Sequence, residues 1–425
     1  MYFMISVESG ELEDFHLRFD SLTKPFATTF FKLLQHMLKN MRLAYVGDIN
    51  GHGESVATTG TPLILILESI KEVMAIDIFC PKQVFAHDNI SYSKKVHIIE
   101  IYDKNKPLST LNLYSLDWGT YDLVIFNMLP TSFGNSSIIN LLGILTPLFV
   151  KKKNVSTKVI YHNSTYTNNV KELGYNGIFD VIRKIVLSRI EKFLFLNIQV
   201  YLPLDIYVKK IKKTLPDAQV KYINMRYFEG LTTIFLNKEE VDNERFKFNS
   251  ERKIPYLLLH GNWGPQKNIE LALKILKKLK NEGYTFNLIV SGGINSHFPK
   301  YSRYFDDIIR RYSDIISIKY DKIIEKDIYK LFINTDLILI PYQSPGGHSG
   351  VLETALTFDL DIICISHPEF TEQVSGLNHV IFCDPERFEY EIATFLDRYS
   401  QRPKEVNIEE IQYEILNSIK TFLYD

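Results

Sequence analysis

Asp336-Leu-Ile-Leu-Ile-Pro-Tyr-Gln-Ser-Pro-Gly-Gly-His-Ser-Gly-Val-Leu-Glu-Thr-Ala355 reads as one buried strand, one loop and the start of one helix. An unbroken aliphatic run closed by Pro341 suits a strand covered on both faces. The loop carries Gly346 and Gly347, and Ser349-Gly350 then open a helical pattern. Unpaired N–H groups at such a helix start, with the Ser349 hydroxyl beside them, form a ready anion site. Glu353 lies one turn further on, where its carboxylate either accepts from a ribose diol or simply complements the helix dipole. His348 either donates a hydrogen bond to a phosphate or is an ordinary loop histidine.

The same strand–loop–helix unit recurs on both sides of this stretch. Towards the C-terminus the expected strands are Tyr256–His260, Asn287–Ser291, Ile315–Tyr320, Leu337–Pro341, Asp361–Ile365 and Val380–Cys383, with helical sequence from Pro385 on. Helices are expected over 268–282, 302–312, 325–334 and 350–357, the first with Ile269, Ala272, Leu273, Leu276 and Leu279 on one face and Gly283 placed to end it. Further upstream come Leu43–Gly47, Ala75–Cys80, Val96–Ile101, Leu123–Asn127, Lys158–His162, Gln199–Leu202 and Val220–Ile223. Between the two series, residues 236–253 (LNKEEVDNERFKFNSERK) are dense in charge and poor in aliphatics, as a linker is. The fold class is therefore α/β, with two doubly wound Rossmann-like domains facing each other across a cleft. Residues 41–235 form the first and 254–395 the second. Residues 396–425 form a C-terminal helical segment that packs back toward the first domain, and 1–40 are either an N-terminal extension or a misplaced start ahead of Met41.

Whole-chain numbers narrow the function classes. A chain of 425 residues exceeds what one core usually supports, which agrees with two domains. A net charge of -1 gives no nucleic-acid signature. Cys80, Cys364 and Cys383 are far apart and read as small buried thiols, with neither a zinc site nor a disulfide framework, which fits a reducing compartment. Acidic residues come too early for a secretory leader and no stretch is long enough to span a membrane, so a cytoplasmic location is expected.

Four other segments are suited to chemistry. Leu258-Leu-His-Gly-Asn-Trp-Gly-Pro-Gln-Lys-Asn268 runs from a strand into a helix, with Gly261 and Gly264 allowing close backbone approach and Lys267 adding a point charge. It is either a phosphate-binding turn or a plain β-α turn. Ser291-Gly292-Gly293 ends a strand where a ligand or a neighbouring loop can lie against the backbone. Gly47-Asp-Ile-Asn-Gly51-His-Gly53, with Gly60 ahead of an apolar helix, is glycine-rich but matches neither GxGxxG nor a P-loop. His162, at a strand's carboxyl end, either faces the cleft or is a buried structural histidine.

Taken in order, the segments of the second domain resemble the retaining glycosyltransferases of family four, of GT-B fold. The resemblance rests on Lys267-Asn268 before a helix, the strand ending in Gly292-Gly293, Asp336 through Pro341, Ser349-Gly-Val-Leu-Glu353-x-Ala355, and Glu369-Phe-Thr-Glu372. In the first domain, Pro216-Asp-Ala-Gln-Val-Lys-Tyr-Ile223 resembles the strand before the family's linker. The resemblance implies transfer of a sugar from a nucleotide-diphosphate donor to an acceptor hydroxyl, with retention, in glycan or glycolipid assembly. It implies catalytic roles for Lys267, at the leaving diphosphate, and His162, facing the donor sugar. Donor binding falls to Gly261, Asn262, Gly292, His348, Ser349, Gly350 and Glu353, and Gly51 and Gly53 lie near the diphosphate and acceptor. No cofactor is implied, and no DxD pair calls for a metal. Two positions depart from the pattern: Pro345 stands where the family's first paired glutamate belongs, and Asn262 and Trp263 where an arginine is often found. A catalytically degenerate sugar-nucleotide-binding subunit and a sugar-nucleotide 2-epimerase are the alternatives. Residues 175–196, together with Lys151-Lys152-Lys153, are basic and amphipathic, which suits either two packed helices or contact with the inner face of a membrane bearing a lipid-linked acceptor.

Overall fold

The computed structural model describes residues 41–49, 55–82, 92–106, 108–130, 132–134, 137–167, 178–225, 254–295, 298–320, 325–344, 347–374, 379–399 and 408–424. Residues 1–40, the charged linker, Gly51, Gly53 and Pro345 lie outside the described residues.

The first domain is built on β1 (Met41–Val46), β2 (Val73–Pro81), β3 (Val96–Tyr102), β4 (Leu123–Met128), β5 (Ser156–Tyr161), β6 (Gln199–Leu202) and β7 (Val220–Tyr222), in the order β3-β2-β1-β4-β5-β6-β7. The second is built on β8 (Tyr256–His260), β9 (Asn287–Ser291), β10 (Ile316–Tyr320), β11 (Leu337–Ile340), β12 (Asp361–Ile365) and β13 (Val380–Cys383), in the order β10-β9-β8-β11-β12-β13. All these neighbours pair in parallel. The expected strands are all present, with ends that differ by a residue or two. Each sheet reverses its winding once, between β1 and β4 and between β8 and β11. In doubly wound sheets ligands bind outside the carboxyl ends of the strands at such points.

In the first domain the helices are α1 (Ser55–Ser69), α2 (Ser137–Lys151), α3 (Ile178–Asn197) and α4 (Asp205–Thr214). In the second they are α5 (Ile269–Asn281), α6 (Tyr301–Arg311), α7 (Glu325–Ile333), α8 (Gly350–Thr357), α9 (Pro368–Gln373) and α10 (Phe388–Arg398), after which comes α11 (Ile408–Tyr424). Side chains alternate across the sheets, so each sheet feeds two cores. Ala44, Val46, Val124 and Phe126 pack with Leu194 and Phe195 of α3, whereas Leu43, Tyr45 and Ile125 pack with Leu63, Ile64 and Leu67 of α1. The second domain repeats this: Leu257, Leu259 and Leu339 meet α5 and α10, and Leu258, Ile338 and Ile340 meet α8.

The last helix contributes to the first domain's core. Ile415, Ile419, Phe422 and Leu423 of α11 join the cluster under α1. Lys158, buried in β5, gives its ammonium to the carbonyls of Phe422 at 2.5 Å and Leu423 at 3.0 Å. A cation at a helix's carboxyl end satisfies orphan carbonyls and complements the dipole, which is how a lysine is accommodated in this strand.

Gly60 belongs inside α1 and not to a loop ahead of it. A β-carbon there would fall 2.4 Å from both the Asp48 carbonyl and the Tyr45 hydroxyl, so close packing of α1 on β1 accounts for a glycine within a helix. The three cysteines are free and buried. No described helix is long and apolar enough to cross a membrane.

Candidate functional site

On the first domain's side, the reversal between β1 and β4 carries a polar cluster built around Asn127, a buried amide near the end of an apolar strand. Its Nδ2 donates to Tyr45 Oη at 3.0 Å and Thr59 Oγ1 at 3.1 Å. Its Oδ1 is left to accept, and His162 Nε2 stands 2.6 Å away. That arrangement makes His162 the Nε2–H tautomer. Burial, and then the charge of His348 in the other domain, lowers the His162 pKa to about 3. The imidazole is therefore neutral near pH 7, suited to hydrogen bonding and not to carrying charge. Asn127 and Thr59 were not singled out from sequence; a lone amide closing an aliphatic strand at the winding reversal is the feature that marks the first.

On the second domain's side, Lys267 ends a short 3-10 turn after β8, Pro265–Lys267. Its Nζ lies 3.6 Å from the centre of the Tyr342 ring, a cation–π contact. Gln343 donates its amide to the Gln266 carbonyl at 2.9 Å, which ties the β8 turn to the loop after β11. Lys267 thus stands at the same edge of the sheet as the loop bearing His348 and Ser349. Gly261 and Gly292 press against each other: Gly292 has φ +107°, and a β-carbon on it would fall 1.9 Å from the Gly261 carbonyl oxygen. The space beside Gly292 is thus taken by the neighbouring loop. Trp263 is fully buried, with its indole N–H on the Ser291 carbonyl at 3.0 Å, so this side chain packs the loop in which the resemblance implies an arginine. Asn262, in the same turn, is half-buried.

Ser349 caps α8, its hydroxyl accepting from the Leu352 amide at 3.4 Å, and Gly350 is the helix's first residue. Gln373, at the end of α9, fastens this corner. Its carboxamide accepts from the Ser349 amide at 3.1 Å and donates to Glu353 Oε1 at 2.9 Å. His348 Nε2 is 3.2 Å from the same Glu353 oxygen. Glu353 is almost wholly buried, and these contacts supply the partners a buried carboxylate needs. One residue earlier, Glu372 accepts from the Asp205 amide and, at 2.8 Å, from the Ile206 amide, capping α4 of the opposite domain. Lys210 of α4 reaches Glu369 at 3.0 Å. Gln373 has no marker in the sequence; its role exists only through tertiary contact.

A cavity of about 150 Å³ opens between the domains, lined by Pro203, Leu204, Tyr222, Asn224 and Met225 of the first and His348, Glu353, Glu372 and Gln373 of the second. His348 and Glu353 share this wall, whereas His162 and Lys267 are not part of it. His162 still feels His348 across the cleft. Among the described residues no group of three or more His, Cys, Asp or Glu is arranged to hold a metal ion.

Two doubly wound domains, each with a winding reversal, and a cavity between them make the architecture. The fold is GT-B. No protein-family model matches the chain, and no curated protein matches it in sequence. Among solved GT-B structures, sucrose-phosphate synthase from Thermosynechococcus elongatus is 13% identical with a TM-score of 0.67, over 91% of this chain and 98% of that one. HepE of Anabaena, in complex with UDP and glucose, is 11% identical with a TM-score of 0.57, over 90% and 94%. UDP-GlcNAc 2-epimerase from Methanocaldococcus jannaschii is 13% identical with a TM-score of 0.51, over 91% and 100%. At these identities what is shared is the fold.

Proposed function

We propose that this GT-B protein is a glycosyltransferase that moves a sugar from a nucleotide-diphosphate donor to an acceptor hydroxyl, with retention. One observation carries the reading: Ser349 and Gly350 open α8 beside the buried Glu353 on the wall of the interdomain cavity. The shared fold of HepE, whose structure holds UDP and glucose, supports it.

In this reading Glu353 takes the ribose diol and the start of α8 takes the distal phosphate. A diphosphate seated there displaces the Gln373 carboxamide from the Ser349 amide, exchanging a neutral hydrogen bond for a charge-assisted one. Breaking the bond between the anomeric carbon and phosphate builds negative charge on the leaving group. Lys267 and the α8 dipole stabilise it without a metal. His162, neutral and oriented by Asn127, hydrogen-bonds the donor sugar. The leaving phosphate takes the acceptor's proton.

The acceptor is lipid-linked in this reading, and α3 is the surface that meets the membrane. Ile185, Val186 and Phe193 are exposed there beside Arg189 and Lys192, with Lys151, Lys152 and Lys153 exposed at the end of α2. Lys151 donates to the Asn197 carbonyl at the end of α3, so the basic run and this face adjoin. Apolar side chains ringed by cations suit an anionic lipid surface.

Turnover of radiolabelled sugar nucleotides tests the proposal. Transfer of label to a lipid-linked acceptor supports it; transfer to a free glycan or peptide supports the transferase reading and overturns the lipid-linked acceptor. Epimerised nucleotide points instead to the epimerase reading. Binding without turnover points to a degenerate subunit, the outcome that Pro345 in place of a glutamate would explain.

A further inference from the structure

Glu191, on the inner face of α3, is wholly buried. No basic side chain pairs with it among the described residues; its carboxylate instead gathers donors from β5 and the loop that follows. Tyr161 Oη donates at 2.9 Å, Ser164 Oγ at 3.0 Å, the Thr165 amide at 2.9 and 3.2 Å to the two oxygens, and Thr165 Oγ1 at 2.5 Å. Ser164 Oγ in turn accepts from the Tyr166 amide at 3.1 Å, and Tyr166 Oη returns to the Ser188 carbonyl of α3 at 3.2 Å. A buried charge without a counter-ion is costly, and the hydrogen bonds it gathers are what offset that cost. What the carboxylate provides is the shape of one loop.

That loop begins at His162 and Asn163. His162 joins the Asn127 cluster, and Asn163 lies against Gly347 of the second domain. We infer that Glu191 is a positioning residue whose ionised carboxylate winds residues 162–166 and so fixes His162 and Asn163 where the two domains meet. The consequence for sugar transfer rests on the proposed function; the positioning itself does not.

The geometry favours the ionised form. The ionised carboxylate accepts from every one of these groups, whereas a neutral acid needs one of the three hydroxyls to turn and accept, since the Thr165 amide can only donate. Burial nevertheless raises the Glu191 pKa to about 7, against the hydrogen bonds that resist the change. The titratable groups facing it are Tyr161 of β5 and Tyr166 of the loop, both raised by burial and then by its charge. Arg189 and Lys192, on its own helix, are exposed, and Lys151 of α2 is turned to the Asn197 carbonyl. Above neutral pH the loop is drawn tight, and on acidification the grip loosens.

Histidine-ring NMR on the full chain tests this, with His162→Gln identifying the His162 signal. His162 itself stays neutral from about pH 5.5 to 8.5, yet its resonance is expected to move with a midpoint near 7 as Glu191 titrates. Glu191→Gln should abolish that inflection. Ser164→Ala, a milder change that serves if the first variant does not fold, should raise the midpoint by removing one donor. An inflection that persists unchanged in Glu191→Gln has a source other than Glu191 and overturns the inference, as does a wild-type signal that does not respond. Where transfer is measured, Glu191→Gln should lower kcat by roughly ten- to a hundredfold with donor KM little changed. Wild-type protein that shows the inflection but transfers no sugar contradicts the proposed function and leaves the positioning role supported.

Discussion

Asn163 of the first domain and Gly347 of the second meet so closely that a β-carbon on Gly347 would fall 2.3 Å from Asn163 Oδ1. Gly347 also has φ +119°, a region that side chains disfavour. Gly347→Ala should therefore wedge the cleft open, in addition to a local strain of about 1–3 kcal/mol. We expect kcat/KM for the donor to fall by at least about tenfold while circular dichroism stays native. Unchanged kinetics would mean that the domains do not close through this contact.

Lys267→Ala should lower turnover by roughly a hundredfold or more, because a focused charge at a leaving group is worth several kcal/mol. The cation now lies over Tyr342. A chelator present throughout should leave the wild-type rate unchanged if lysine and helix dipole carry the charge. Steady-state kinetics with and without chelator checks both expectations.

Glu353→Gln should weaken donor binding more than it lowers the maximal rate. It removes the charge at the cavity wall and turns one carboxylate oxygen into a donor, while the remaining amide oxygen can still accept from His348 and Gln373. Calorimetric titration of the variant measures this; an unchanged donor affinity would remove Glu353 from the ribose site.

Acid stability follows from His260. Burial, and then Lys267, lowers its pKa to about 4 from the usual 6.5. Between those values the unfolded chain binds a proton that the folded one does not, so stability falls as pH falls. The contribution reaches at most about 1.4 kcal/mol per pH unit. His260→Asn should flatten the fall in Tm between about pH 6.5 and 4 relative to wild type. Equal slopes would show that the ring is not held neutral.

The strands were legible because their near-continuous aliphatic runs, such as Leu337–Ile340, admit one physical reading in a doubly wound sheet. Gly60 was misplaced into a loop because helix propensity speaks against a glycine that only packing against Asp48 and Tyr45 explains. In the site, Ser349 and Glu353 were visible through spacing within one helix. Gln373 and Glu191 were not, since each works on residues about 20 or more positions away that only the fold brings near. Lys158 is a similar case: a lysine in a buried strand makes sense once the end of α11 supplies the carbonyls.

Isothermal titration of the intact protein with UDP, GDP, ADP and CDP bears most directly on the central claim, that the second domain's cleft receives a nucleoside diphosphate. We expect one base to bind saturably, with affinity reduced about tenfold or more by Lys267→Ala and by Glu353→Gln. Failure of all four to bind, or binding indifferent to both substitutions, would contradict the account.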